Sequence, residues 1–301
     1  MIRKVTFKGN PMTLVGRQLR VGARAPNFKV VSGDLKEITL ANFQEKIKII
    51  SSFPSLDTPV CDLQVKEFNK KAQELSSDVL VLGISKDLPF AQRRFCEMNQ
   101  IKNEVVLSDY KYSSFGINYG LLIKELNLLG RAALILDKGD TLRYAQVVDE
   151  LTNSIDYADV LNNLEEVINN PSLFLSEELP SQCKPCEGGT PPLPKEKIEK
   201  LIAQYRGWEL IEDKKLAKEF KFKDFPEAKY FLDLVSVVAE EQGHHPALTL
   251  IYNKLKITLT THAAGGLTEN DFIMAKIIDE LSLASDSKHG DARDQFVGQQ
   301  Q

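Results

Sequence analysis

Residues 171–194, PSLFLSEELPSQCKPCEGGTPPLP, divide the chain. Six prolines and a Gly-Gly pair interrupt every apolar periodicity there, so neither a helix nor a strand can run through it. With 301 residues in all, each side is long enough to close a core of its own. The expected organisation is a domain over 1–172, a linker or extended arm over 173–194, a second domain over 195–283 and a disordered polar tail over 284–301.

Before the break, short apolar runs alternate with helical patterns. KIKIISSF (46–53), DVLVLGIS (78–85), EVVLS (104–108) and RAALILD (131–137) have the length and β-branched content of buried strands. Phe68, Ala72 and Leu75 recur at helical spacing, Pro89 opens a helix that contains Cys96, and Val160, Leu164 and Val167 share a face after Asp156. Lys138-Gly139 supplies a turn that returns TLRYAQVVD as a hairpin partner. This order predicts an α/β layered domain.

After the break the order changes. Ile198, Leu201, Ile202 and Tyr205 make a helix face, and GWELIED and KLAKEFKFKD read as strands. Asp224 caps a helix, with Pro226 in its first turn and Glu227 three residues beyond the cap; Gly243 ends it. LTLIY and LKITLTT flank Asn253-Lys254 as a hairpin, and Thr268 caps a last helix. The sum is a small α+β domain, an antiparallel sheet covered by helices, with a core of its own.

Charge narrows the partners. Residues 1–175 carry 22 Lys and Arg against 21 Asp and Glu, and the remainder 16 against 21, with no basic run, so nucleic acid is not expected. No stretch is long and apolar enough for a membrane span. The opening MIRKVTFKGNP lacks the pattern of a signal peptide, and a cytoplasmic location is expected. Thiols stay reduced there, so four cysteines point to chemistry or metal before structural disulfides.

Cys61 falls where a strand gives way to a helix, in PSLDTPVC. Free N–H groups and positive potential at a helix start favour thiolate over thiol. Pro54 and Pro59 stiffen the turn, and Thr58 is the nearest hydroxyl, able to donate to the sulfur or to a bound oxygen. Such a thiolate can attack a peroxide O–O bond, and a second thiol can condense with the sulfenic acid formed. Cys96 is the candidate partner; spacing alone equally allows two buried packing cysteines.

FPSLDTPVC, SKDLPFAQRRFC and GRAALILDKGDTLRYAQVVDE, with the opening VTFKGNPMTLVG, resemble the bacterial thiol peroxidases, atypical two-cysteine peroxiredoxins of thioredoxin-like fold. The resemblance runs across residues 1–170. It implies that Cys61 is the peroxidatic cysteine and Cys96 the resolving one, linked as an oxidised Cys61–Cys96 disulfide. Pro54, Thr58 and Cys61 match the family's P-x-x-x-T-x-x-C motif. Arg131 matches an arginine that holds thiolate and peroxide, a role for a cation that stays charged and donates in two directions. The implied reductant is thioredoxin-like, and the implied assembly a homodimer or higher homo-oligomer.

His244, His245 and His262 lie at the open end of the expected second-domain hairpin and can converge there. General acid–base catalysis, zinc binding and plain surface hydrogen bonding all fit three imidazoles. Adjacent histidines face different sides of an extended backbone, which weighs against a shared metal. GW, FKFKDF, AEEQGHHP, YNKLKITLTTH and GLTENDF resemble pterin-4a-carbinolamine dehydratase from about residue 180 to 282. The resemblance implies dehydration of a 4a-hydroxytetrahydropterin with no metal or cofactor. It puts the catalytic and pterin-binding positions on His244, His245, Pro246 and His262, with Asp271 as a supporting carboxylate. Ala247, Leu248 and Ala263 depart from residues common in that family, so a non-catalytic dimerisation or binding module is the alternative. Cys183 and Cys186, in CKPCEGG, have the spacing of a dithiol or half a zinc site, and no second such pair completes four ligands.

Overall fold

The computed structural model describes residues 4–170, 182–184 and 190–282. The expected tail over 284–301, Cys186 and most of the arm lie outside the described residues.

The chain opens with a hairpin, β1 (Lys4–Phe7) and β2 (Asn10–Arg17). Then come β3 (Lys29–Ser32), β4 (Glu37–Thr39), β5 (Ile47–Ser52), helix α1 (Pro59–Ala72) and β6 (Val79–Ser85). Helix α2 (Pro89–Met98), β7 (Glu104–Ser108), the short helix α3 (Ser114–Asn118), β8 (Leu122–Ile123) and β9 (Leu128–Leu129) follow. The hairpin β10 (Ala132–Leu136) and β11 (Leu142–Val147) and helix α4 (Tyr157–Asn169) complete this half.

Its main sheet has seven strands in the order β11-β10-β5-β6-β7-β3-β4. The central three are parallel, as crossovers through α1 and α2 require, and the flanking pairings are antiparallel. β5 is buried at all six positions, Lys48, Ser51 and Ser52 included, as a strand covered on both faces must be. Both faces of the sheet are covered, which is the α/β layering expected. The parallel strands end together at Ser52 and Ser85, so the loop after β5 delivers Cys61 to the carboxyl edge of the sheet.

The second half contains α5 (Lys195–Ile202), β12 (Glu209–Ile211), β13 (Lys215–Lys221), α6 (Phe225–Gln242), β14 (Ala247–Ile251), β15 (Lys254–Leu259), α7 (Glu269–Glu280) and β16 (Leu281–Ser282). Its sheet has the antiparallel order β12-β13-β15-β14, packed under the helices. Asp224 caps α6 by accepting from the Glu227 amide at 3.0 Å, and Gly243 closes it at φ +60°. The hairpin turn falls one residue earlier than the sequence pattern places it, on Tyr252 and Asn253. Tyr252 takes φ +49°, and the Asn253 side chain donates to the Phe222 carbonyl at 2.7 Å, freeing Lys254 for the ladder.

The expectation of a separate second core is corrected. Val15, Ile117 and Leu122 of the first half belong to the same buried cluster as Trp208, Phe231, Leu255 and Phe272. β16 pairs with β2, and Arg17 donates to Glu280 through Nε at 3.0 Å and Nη2 at 2.7 Å. Gly16, at φ +115°, lies so close to the Ile117 carbonyl that no Cβ would fit, which lets β2 press against α3 and turn Val15 toward the other half. The sequence pattern shows which residues are apolar; which core takes them depends on this long-range packing.

Candidate active sites

Cys61 occupies the first turn of α1, with Thr58 at the N-cap and Pro59 opening the helix. Its side chain is fully buried. Thr58 Oγ1 lies 2.8 Å from Cys61 Sγ and 3.0 Å from the Ser55 carbonyl. The loop from buried Pro54 onward is held by Asp87, whose carboxylate accepts the Ser55 hydroxyl at 2.7 Å and the Leu56 amide at 2.8 Å.

Arg131, at the mouth of β10, is 2% exposed and not the solvated strand end its position alone suggests. Nε and Nη2 donate to the Leu151 carbonyl at 3.0 and 2.9 Å, Nη1 donates to Gln64 Oε1 at 2.6 Å, and Nη2 reaches Cys61 Sγ at 3.3 Å. Gln64 in turn donates to Ser51 Oγ at 2.8 Å and to the Ser52 carbonyl at 3.2 Å. The guanidinium is thus held by two acceptors, Leu151 and Gln64, with Nη2 also aimed at sulfur. Sequence reasoning missed Gln64; its signal is the i, i+3 spacing from Cys61, which puts both on one helix face.

Cys96, on α2, packs half-buried against the apolar cluster that contains Cys61, Phe53, Leu56, Val65 and Ile101. Both sulfurs are free thiols. Burial, and behind it the charges of Glu104 and Glu97, push the Cys96 thiol up to about 11.

The second constellation lies where α6, the β14–β15 hairpin and α7 meet. Asp271, fully buried in the first turn of α7, accepts from four directions. His244 Nε2 lies 2.8 Å from Oδ1; Oδ2 takes the Thr261 hydroxyl at 2.8 Å, the Thr268 amide at 2.7 Å and the Thr268 hydroxyl at 3.3 Å. His244 is 8% exposed, just past the Gly243 cap. His245 points the other way, exposed, with Nε2 3.0 Å from Glu240. His262 is exposed on the 3-10 turn His262–Ala264, and Pro246 is half-buried ahead of β14. The backbone brings His244 and His262 to one end of the sheet, because Ala247 pairs with Thr258 and Asp271 ties His244 to Thr261. Among the described residues no hydrogen bond joins the three imidazoles, and no group of three or more His, Cys, Asp or Glu is placed to hold a metal ion. Thr261 was not singled out from sequence; Thr268 was expected only as the cap of the last helix, which it is, in a Thr-x-x-Asp capping box that also engages Asp271.

Of the arm, Cys183 packs half-buried on this domain. Its amide donates to Gln242 Oε1 at 2.8 Å, and Asn270 holds Lys184 through its amide at 3.0 Å and its carbonyl at 2.7 Å.

The family described as Redoxin matches residues 20–164, and the family described as Pterin 4 alpha carbinolamine dehydratase matches residues 191–281. The thiol peroxidase of Halalkalibacterium halodurans is 46% identical over 153 residues, covering 51% of this chain and 92% of that protein. That of Bacillus subtilis (strain 168) is 47% identical over 154 residues, covering 51% and 92%. A peroxiredoxin-like protein from Aquifex aeolicus, 42% identical, superposes with a TM-score of 0.52 over 55% of this chain and 97% of its own. The first half accordingly has the thioredoxin-like peroxiredoxin fold, and the second is the smaller antiparallel-sheet domain. The chain belongs to the thiol peroxidase family and carries, fused behind that domain, a pterin 4 alpha carbinolamine dehydratase domain.

Proposed function

We propose that the chain is a bifunctional enzyme whose first domain reduces hydrogen peroxide and organic hydroperoxides through Cys61. The observation that carries this reading is the pair of donors on one buried sulfur, Thr58 Oγ1 at 2.8 Å and Arg131 Nη2 at 3.3 Å. A guanidinium fixed by Leu151 and Gln64 stabilises negative charge on sulfur and on an incoming peroxide oxygen without having to reorganise. The Cys61 thiolate attacks the near oxygen, the O–O bond breaks, and the far oxygen leaves as water or alcohol after taking a proton. Cys61 becomes a sulfenic acid. Cys96 then condenses with it, releasing water and forming a Cys61–Cys96 disulfide, which a thioredoxin-like dithiol in a reducing cytoplasm returns to two thiols. Replacing Cys61 with serine and following peroxide consumption with a thioredoxin system tests this; undiminished turnover would sink it.

The second domain, on this proposal, dehydrates a 4a-hydroxytetrahydropterin to the quinonoid dihydropterin without a metal. The support is the buried His244–Asp271 pair. A carboxylate accepting from Nε2–H leaves Nδ1 of His244 as the basic nitrogen. On this reading His262, exposed on its turn, and His245, exposed beside Glu240, meet the substrate, with half-buried Pro246 next to them. One imidazole protonates the departing hydroxyl while another takes the ring-nitrogen proton. A pterin turnover assay decides between this and a non-catalytic dimerisation or binding module, which Ala247 and Ala263 keep as the second reading. The assembly proposed is a homodimer or higher homo-oligomer. No described helix is long and apolar enough to cross a membrane.

A further inference from the structure

A single peptide unit joins the N-terminal hairpin to the Cys61 site. The Leu151–Thr152 peptide presents its carbonyl to Arg131, whose Nε and Nη2 donate to it at 3.0 and 2.9 Å. The peptide is trans, so the Thr152 N–H leaves the same plane in the opposite direction. That N–H donates to Glu150 Oε1 at 3.1 Å. Glu150 therefore stands one peptide behind Arg131, and on the other side of the guanidinium Nη2 reaches Cys61 Sγ at 3.3 Å. The carboxylate is itself pinned by further donors. Oε1 also accepts the Thr152 hydroxyl at 2.8 Å and the Lys8 amide at 3.0 Å, and Oε2 accepts the Thr6 hydroxyl at 2.8 Å and the Gly9 amide at 3.0 Å. The Lys8–Gly9 turn of the β1–β2 hairpin is left-handed at both residues, which aims two successive amides at one side chain. Backbone bonds complete the joint: the Thr6 amide donates to the Asp149 carbonyl at 2.6 Å and the Leu151 amide to the Thr6 carbonyl at 2.8 Å. The Gly9 amide, with the Thr152 and Thr6 hydroxyls behind it, holds Glu150 well below the usual carboxylate range, so it stays charged.

We propose that Glu150 is the positioning residue that aims Arg131 at Cys61, acting through the Leu151–Thr152 peptide. This rests on the peroxidase reading of Cys61. Two physical effects carry it. The first is geometric. With its N–H held by Glu150 and its carbonyl held by Arg131, the peptide plane cannot rotate, and the place of that carbonyl sets where Nε and Nη2 point. Gln64 fixes Nη1, so the second proton of Nη2 is left directed at sulfur. The second effect is electrostatic. An anion that accepts the N–H of a peptide polarises it and makes the carbonyl at its other end a stronger acceptor for a guanidinium. A side chain needed only to cap the hairpin turn would be satisfied by Thr6, Lys8 and Gly9. The two bonds to Thr152 tie that turn to the peptide on which Arg131 rests. The N-terminal hairpin thereby becomes part of the support of the Cys61 site, although none of its residues touches the sulfur.

The test measures the second-order rate of Cys61 with hydrogen peroxide, and the urea midpoint, on the full chain carrying E150Q, R131M, both together, or E125Q. E150Q keeps the size of the side chain but turns one of its acceptors into a donor facing donors. Glu125 holds the same hairpin, through the Thr13 amide at 2.9 Å, without bonding the peptide that Arg131 uses, so E125Q loosens the hairpin and leaves the aim alone. The expected result is that E150Q slows the peroxide reaction about tenfold, as when the partner that orients a working side chain is lost, while E125Q stays within about twofold of wild type. In the R131M chain no guanidinium is left to aim, so adding E150Q should slow the reaction by less than about twofold although it still lowers the urea midpoint. A purely structural role would instead lower rate and midpoint together in both backgrounds. An E150Q rate within about twofold of wild type, a loss as large in R131M as in the parent, or an equal loss in E125Q would overturn the proposal. The E150Q and E125Q measurements decide the matter even where R131M does not fold. A wild-type chain that consumes peroxide no faster than its Cys61→Ser variant would overturn the peroxidase reading itself.

Discussion

Nε2 of His244 and Oδ1 of Asp271 lie 2.8 Å apart in a pocket where Asp271 is fully buried. The other carboxylate oxygen is saturated by Thr261 and Thr268. Asp271 therefore orients the imidazole and locks the end of β15 to the first turn of α7. Asp271→Asn keeps the shape but turns half the acceptor into a donor facing donors. Dehydration should fall by about 10–100-fold, mostly in kcat, as when the partner that orients a working histidine is lost. Stability should fall by about 1–3 kcal/mol. Steady-state pterin kinetics and urea unfolding on one preparation check both numbers.

At the peroxidase site the decisive group is the fixed fork of Arg131. Arg131→Lys keeps the charge but cannot hold Leu151, Gln64 and Cys61 at once. The second-order rate of Cys61 with hydrogen peroxide should drop about 10²–10³-fold, the size of effect seen when one preorganised donor is removed from a charge-developing site. Competition against a peroxidase of known rate measures it. A rate within threefold of wild type would mean that the guanidinium holds structure alone.

Much of this was legible before the fold was known, and the reasons are local. Cys61, Thr58 and Pro54 lie within eight residues of one another, so spacing and helix-start chemistry describe their relation. The Asp224 cap and the Gly243 stop are equally local and stand where the pattern puts them. Arg131 was a different matter: it lies 70 residues from Cys61, and only a resemblance pointed to it. The partners of Asp271 depend on which strands and helices become neighbours, which no local window contains. The shared core failed for the same reason. Val15 reads as one more apolar residue of a hairpin, and β16, which pairs with the neighbouring Gly16 and Arg17, is the last described strand in the chain.

The junction between the halves should respond to pH. Glu241 on α6 accepts from the Asn118 side chain of α3. Burial raises its pKa from 4.5 to about 7; bonds to Ser114 and Asn118 and the charge of Arg17 pull it down, while Asp109 pushes it further up. Asp109, buried under α3, is itself raised from 3.8 to about 7 by burial, against the Gly116 and Phe115 amides and Lys86. A carboxyl whose folded pKa is raised binds its proton better folded than unfolded. Its contribution is complete below about pH 4.5 and is lost as pH climbs through 7. The thermal midpoint of the full chain should therefore fall between pH 5 and 8, and Glu241→Gln should flatten that slope. Calorimetry at half-unit pH steps checks it; an E241Q slope identical to wild type would remove Glu241 from the account.

The shared core makes a last, sharper prediction, because Trp208 is the only tryptophan in the chain and sits in the second domain, 5% exposed, with its indole N–H donating to Asp279 at 3.0 Å. Val15 is fully buried in the same cluster but belongs to β2, in the first domain. Val15→Ala removes two methyl groups' worth of packing and leaves a cavity, at roughly 2 kcal/mol. Were the domains independent, a change in the first would leave the Trp208 signal untouched. Because they share apolar surface, the denaturant midpoint reported by Trp208 fluorescence should shift down with that of the first domain. The fragment 176–301, which lacks Val15, Ile117, Leu122 and the β2 partner of β16, should unfold at still lower denaturant than the V15A chain. A fragment as stable as the intact protein, with a Trp208 transition indifferent to V15A, would restore two separate cores.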